Sequence, residues 1–218
     1  MISPEGALYS FLEWLDDTDE SIHIHVYELM HPDIIAKLIA LSLADVDVTV
    51  VLEEDPLEDT NDLYNIRGYA FDLYAAGVEV YWMGTPRGDA APPAPYQYIH
   101  SKVAVQDGNS VWIGSGNLKS STMPVGEYSG NRDWSLVINS EDVAQLIMSR
   151  LSWDENESHK HLLQYSVMDP QTGKPTGWTG SGPTGIDAVP PAESPPTISG
   201  EFTGEVLTCP DDCVSGIV

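Results

Sequence analysis

Basic residues are scarce in this chain. Nine lysines and arginines stand against 34 aspartates and glutamates over 218 residues, a formal net charge of −25. Such a field repels polyanions, and a tight duplex-DNA binder ordinarily carries a basic footprint. None is visible here. High salt screens that repulsion over short distances, so the acidity weakens a nuclease reading without removing it. Few lysines among many aspartates also suggest a salt-adapted cell, with the protein in its cytoplasm or at a membrane periphery. Cysteine is almost missing: Cys209 and Cys213 supply two ligands at most, too few for a zinc site, and read as small thiols. Long apolar runs are lacking too. The longest, "IIAKLIALSLA" from Ile34, is interrupted by Lys37 and falls short of the roughly 20 residues that span a bilayer. "MISPEGALYS" at the N-terminus has no basic segment followed by an apolar one, so no signal-peptide pattern is seen.

What is present is an alternation of periods. "ALYSFLEWL" has apolar residues at helical spacing, and "SIHIHVYEL" is β-branched and aromatic like a strand. "HPDIIAKLIALSL" follows as a helix with Pro32 in its first turn, where a missing N–H costs nothing. "VDVTVVLEE", then "NDLYNIRGYAFDLYAAG" stopped by Gly77, then "VEVYWMG" complete a β-α-β-α-β order. This predicts an α/β fold with helices packed on a sheet. A proline-rich loop runs from Thr85 to Tyr96. The strands "QYIHSKVAVQD" and "SVWIGSG" then flank Asp107-Gly108-Asn109, a hairpin signal. "RDWSLVINS" is a further strand and "SEDVAQLIMSRLSWDEN" a helix.

Composition divides the chain into three parts: 1–165, a linker or extended strap over 166–200, and 201–218. In the second, 13 of 35 residues are Gly or Pro, above the ~25–30% typical of low-complexity segments. Its Gly180-Ser-Gly182-Pro-Thr-Gly185 spells G-x-G-x-x-G, but neither strand nor helix flanks it, so a dinucleotide site is rejected. The third part, "CPDDCVSGIV" at its end, repeats the apolar steps of "SPEGALYSFL" near the beginning. The expectation is that 201–218 begins a second copy of the first part.

The chemistry concentrates in one stretch. His100 and Lys102 are two apart on an expected strand and so share a face. Ser115 and Asn117 are two apart on the next expected strand, and the hairpin would bring the two pairs onto one patch. An ammonium with neutral donors suits the non-bridging oxygens of a phosphoryl group and the added charge of its transition state. An imidazole beside them can attack phosphorus or carry protons. His23 and His25 also share a strand face but have no third ligand at fixed spacing, so no metal site is expected. Arg87 reads as a solvated loop residue with an outside role in phosphate contact. Glu127 and Tyr128 are candidates for the site entrance, and Trp112 and Trp134 for core or rim.

His100-Ser-Lys102, four residues, Asp107, six residues and Gly114-Ser115-Gly-Asn117 resemble the H-x-K-x4-D-x6-G-S-x-N signature of the phospholipase D superfamily. "NRDWSLVI" resembles the family's N-x-E segment, with Asn131 and Asp133 in the Asn and Glu places; aspartate for glutamate is a departure with a shorter reach. The resemblance extends from Ser3 to about Gln164. It implies a mixed β-sheet flanked by helices on both faces and a two-step reaction without metal or other cofactor. His100 would be the nucleophile that forms a phosphohistidine, or the acid that protonates the leaving oxygen. Lys102 and Asn117 would bind phosphate with help from Ser115, and Asp133 would orient the imidazole. Asp107, Gly114 and Asn131 would be structural members of the motif. Because one histidine cannot serve as nucleophile and acid in the same step, a second motif copy is expected, from a duplicated chain or a homodimer. The substrate class implied is a phosphodiester, first a phospholipid head group. A metal-independent homodimeric endonuclease, with nucleic acid as partner, and an inactive scaffold half are the alternatives.

Overall fold

Seven strands form one mixed sheet in a computed structural model that describes residues 3–57, 60–84, 96, 98–126, 130–156, 162–180, 182–191 and 197–200. Arg87, Glu127, Tyr128, both cysteines and the 201–218 segment lie outside the described residues. Helix α1 (Ala7–Asp16) leads to β1 (Ser21–Val26), α2 (Pro32–Leu43), β2 (Asp47–Glu53), α3 (Thr60–Ala75) and β3 (Glu79–Met83). Then come β4 (Lys102–Gln106), β5 (Ser110–Gly114), β6 (Ser135–Asn139), α4 (Glu141–Asp154) and β7 (Leu162–Gln164). The spatial order is β6-β5-β4-β1-β2-β3-β7. β1, β2 and β3 run parallel; β4, β5, β6 and β7 each join antiparallel. The short edge strand β7 is not expected from the sequence: three residues carry too little periodicity to register.

Strand alternation assigns the two faces. Ile22, Ile24 and Val26 of β1, with Val48, Val50 and Leu52 of β2, pack into one core with Leu8, Phe11 and Leu15 of α1 and with α2 and α3. On the other face Val105 and Val111 meet Ala144, Ile147 and Leu151 of α4. Helices therefore cover both faces, the layered arrangement that buries a mostly apolar sheet. Helix α2 starts at Pro32 with His31 as N-cap, its side chain accepting the Asp33 N–H. Helix α1 docks over β4 and β5: the Phe11 ring meets Trp112 edge-on at 4.9 Å, and Trp14 Nε1 donates to Ser110 Oγ at 2.9 Å.

The hairpin between β4 and β5 is built as the Asp-Gly pair suggests, with Asp107 and Gly108 both left-handed at φ 49° and 62°. The Asp107 carboxylate accepts the N–H groups of Asp19, Glu20 and Ser21 at 2.8–3.1 Å, tying the hairpin to the start of β1. Five residues of β4 separate Asp107 from the opposite end of the strand, about 17 Å at strand rise.

The described part of 166–200 lies against the helices. Trp178 covers Gly68 of α3, stands edge-on to Tyr64 and Tyr69, and donates its indole N–H to Asp72 at 2.9 Å. Thr184 caps Asp33 of α2 through its N–H and hydroxyl, both at 2.8 Å.

Candidate active site

Parallel strands in an α/β sheet leave a crevice at their carboxyl ends, and of the signature residues all but Asp107 lie toward that end. Lys102 opens β4 and is paired with Val26, the last residue of β1. His100 is not on a strand: it precedes β4 in an irregular segment, exposed to solvent. Ser115 and Asn117 also lie off the strand, because β5 ends at Gly114. One step past the Val103–Ile113 pair, Lys102 is level with Gly114, not Ser115. Strict alternation would therefore place Ser115 and Asn117 on the wrong face. Their approach comes instead from the chain leaving β5 and crossing to the β1–α2 loop, where Leu118 bridges Leu29 and donates its N–H to the Glu28 carbonyl at 3.1 Å.

Lys102 is the buried cation of the site, 6% exposed. Its ammonium donates to the His100 carbonyl at 2.8 Å and sits 5.4 Å above the Tyr27 ring. The same ring meets the His100 imidazole at 5.0 Å, so one buried tyrosine supports both motif side chains. Burial lowers the Lys102 pKa to about 8 against the opposing pull of Glu28 and Asp133, with Lys119 adding to the lowering. Burial and the Lys102 charge both lower the His100 pKa, favouring the neutral imidazole that a nucleophile needs.

Ser115 and Asp133 form a locked pair. The Ser115 hydroxyl donates to Asp133 Oδ1 at 2.9 Å and accepts the Trp134 N–H at 3.1 Å. Asp133 thus faces Ser115 and the field of Lys102; among the described residues the His100 ring has no hydrogen bond, and its contact is Tyr27. Asn117 is half-buried; its backbone carbonyl accepts Thr122 and Lys119, while among the described residues its buried Oδ1 has no partner. Asn131 is exposed and donates its N–H to the Ser121 carbonyl at 2.6 Å. The motif glycines have steric reasons. A Cβ on Gly114 would meet the Trp112 indole at 2.5 Å, and one on Gly116 the Asp133 carboxyl carbon at 2.8 Å. Trp112 is core at 1% exposure, whereas Trp134 stands 58% exposed at the rim.

Four residues at the site carry no motif signal: Tyr27 and Glu28 at the end of β1, Glu53 at the end of β2, and Lys119 after β5. Glu28 is fully buried, and Lys119 Nζ lies 2.5 Å from its Oε2. The Glu53 carboxylate accepts the N–H groups of Ile99 and Asp55. Their places at the carboxyl ends of parallel strands are the available signal. On the opposite sheet face His25 Nε2 is 2.9 Å and His23 Nδ1 3.6 Å from Glu155 Oε1, a third group that spacing alone could not supply. Among the described residues no cluster of three or more His, Cys, Asp or Glu has metal-site geometry.

Comparison with known proteins agrees with this fold. The family model described as "Cardiolipin synthase, PLD-like domain" matches residues 11–154. The fold is similar to that of the phospholipase D family member Nuc from Salmonella typhimurium, with TM-score 0.60, 21% identity, and coverage of 75% of this chain and 94% of that one. NucT from Helicobacter pylori is similar at TM-score 0.54 and 19% identity, covering 76% and 96%. Phosphatidylserine synthase from Haemophilus influenzae Rd KW20 is similar at TM-score 0.52 and 10% identity, covering 78% of this chain and 42% of that one. No curated protein sequence matches.

Proposed function

Because this chain belongs to the cardiolipin synthase, PLD-like domain family, we propose that it cleaves or exchanges the head-group phosphodiester of a phospholipid through His100. The observation that carries this reading is the buried Lys102 ammonium beside an exposed, neutral-leaning imidazole at the carboxyl ends of the parallel strands. In the first step an imidazole nitrogen of His100 attacks phosphorus, the P–N bond forms, and the bond to the leaving oxygen breaks. That oxygen takes its proton from the imidazole of a second His-x-Lys copy, from another repeat or another chain. Water or an acceptor alcohol then attacks phosphorus, returns a proton to that second imidazole, and breaks the P–N bond. Lys102 and Asn117 carry the charge on the non-bridging oxygens, and Ser115 joins them once its hydroxyl turns its one proton from Asp133 to the substrate.

Asp133 acts through Ser115, fixing its hydroxyl, and through its field on Lys102. A net charge of −25 favours a substrate presented as single phosphodiesters over a polyanion.

The test is turnover by the intact protein on phosphatidylglycerol–phosphatidylcholine vesicles and on plasmid DNA, with and without chelator, beside His100→Ala. Lipid turnover that survives the chelator and falls by roughly three orders of magnitude or more in the variant is expected. Faster cleavage of DNA than lipid would replace the substrate assignment, and undiminished turnover in His100→Ala would overturn the mechanism.

A further inference from the structure

The charged groups around Lys102 come from four elements: Glu28 after β1, Asp133 before β6, Lys119 after β5 and His100 before β4, with Tyr27 as the uncharged floor. Glu28 is the unusual one. It is fully buried, with the Lys119 ammonium 2.5 Å from Oε2 and, among the described residues, no partner for Oε1. A buried carboxylate so incompletely partnered is costly, and an apolar side chain of the same volume would serve packing better. Its negative charge is therefore the property to explain.

We propose that Glu28 is a positioning residue that supplies, from a fully buried place two residues past the Val26–Lys102 pair, the negative charge that keeps the Lys102 ammonium charged and in place, with Lys119 as its own counter-ion. This rests on the reading of Lys102 as the phosphate ligand. The geometry separates charge from hydrogen bonding. Glu28 makes no ion-pair contact with Lys102, so it occupies none of the ammonium donors. One of the three Lys102 N–H groups goes to the His100 carbonyl, and among the described residues the other two have no partner. A direct salt bridge would hold those donors; a partner acting through space leaves them to the substrate. Full burial keeps Glu28 from meeting the incoming phosphate. Lowering of the Lys102 pKa by burial, opposed first by Glu28, agrees with this arrangement.

The chain has five lysines, few enough to follow each by the pH dependence of its 13Cε resonance in intact protein labelled on lysine. In Glu28→Gln the Lys102 proton affinity should fall about tenfold, the effect of one opposite charge at short range. The alkaline limb of kcat/KM on bis(4-nitrophenyl) phosphate should move to lower pH by the same factor. In Glu28→Met, where an apolar side chain of similar length replaces the buried carboxylate and Lys119 is retained, the Lys102 affinity should fall by the same factor. This second variant decides the matter if Glu28→Gln does not fold. An unchanged Lys102 titration in the folded variants overturns the proposal. A shifted titration in a protein inactive on phosphodiesters, with His100→Ala no worse than wild type, would leave the proposal standing and remove the enzymatic reading instead.

Discussion

The Glu53 carboxylate accepts the Ile99 amide at 2.8 Å, one residue before His100. Strand β1 lies between β2 and β4, so this bond passes the end of β1 and anchors the irregular segment that carries the imidazole. The other oxygen accepts the Asp55 N–H at 3.1 Å, and the side chain is 4% exposed. Glu53→Ala strands two donors, at about 1–3 kcal/mol for each that stays dry. We expect kcat/KM to fall about tenfold or more, with Glu53→Gln intermediate because it keeps one acceptor oxygen. Steady-state kinetics beside urea unfolding separates this from a general loss of stability; unchanged kcat/KM in Glu53→Ala would mean that the segment holds itself.

Gly116 is the close approach on which Asp133 depends. A methyl group there would meet the carboxyl carbon at 2.8 Å, so Asp133 must move and release Ser115. Displacements near 1 Å at a site can cost about a hundredfold in rate. Gly116→Ala should therefore lower kcat/KM by roughly ten- to a hundredfold, while Gly126→Ala, where a Cβ meets nothing among the described residues within 4 Å, should be silent. Parallel assays of the two alanine variants check this.

The helix–strand order and the His100–Asn117 signature were legible because each is local: hydrophobic period for one, fixed spacing for the other. Pro32 and Gly77 marked the start and end of helices where they stand in the structure. Glu28 and Glu53 were not legible, since only the antiparallel pairing of β1 with β4 and the parallel pairing of β1 with β2 bring the ends of those strands to the segment 99–102. Strand alternation also misdescribed how Ser115 and Asn117 arrive. Their neighbourhood is set by the Leu118–Leu29 bridge, a contact between segments 89 residues apart that no two-residue period can reveal.

Trp178 gives the Gly/Pro-rich segment a grip on α3. A Cβ on Gly68 would lie 2.3 Å from its indole, so the glycine is the socket for the ring. Removing a large apolar side chain from such a socket costs about 2–3 kcal/mol. Trp178→Ala should lose that much in urea unfolding and expose 166–191 to limited proteolysis, with kcat/KM little changed. Equal protease resistance in the variant would show that Thr184 and Asp33 suffice to hold the segment.

Glu155 sets an acid limit on stability. Burial alone would raise its pKa, but His23 and His25 outweigh burial and hold it at about 2. A carboxyl that ionises near 4.5 when unfolded and at about 2 when folded stabilises the protein above pH 4.5. That contribution is lost as pH falls from about 4.5 toward 2, because the unfolded chain binds the proton first. Glu155→Gln should therefore be less stable than wild type at neutral pH and show a flatter fall in stability across pH 4.5 to 2, read by thermal melts at each pH. His25 points to the α4 side of the sheet, away from the face that Lys102 shares with Val26. The same variant should thus keep its kcat/KM at neutral pH, and a loss there without a loss of stability would mean that the two faces are coupled.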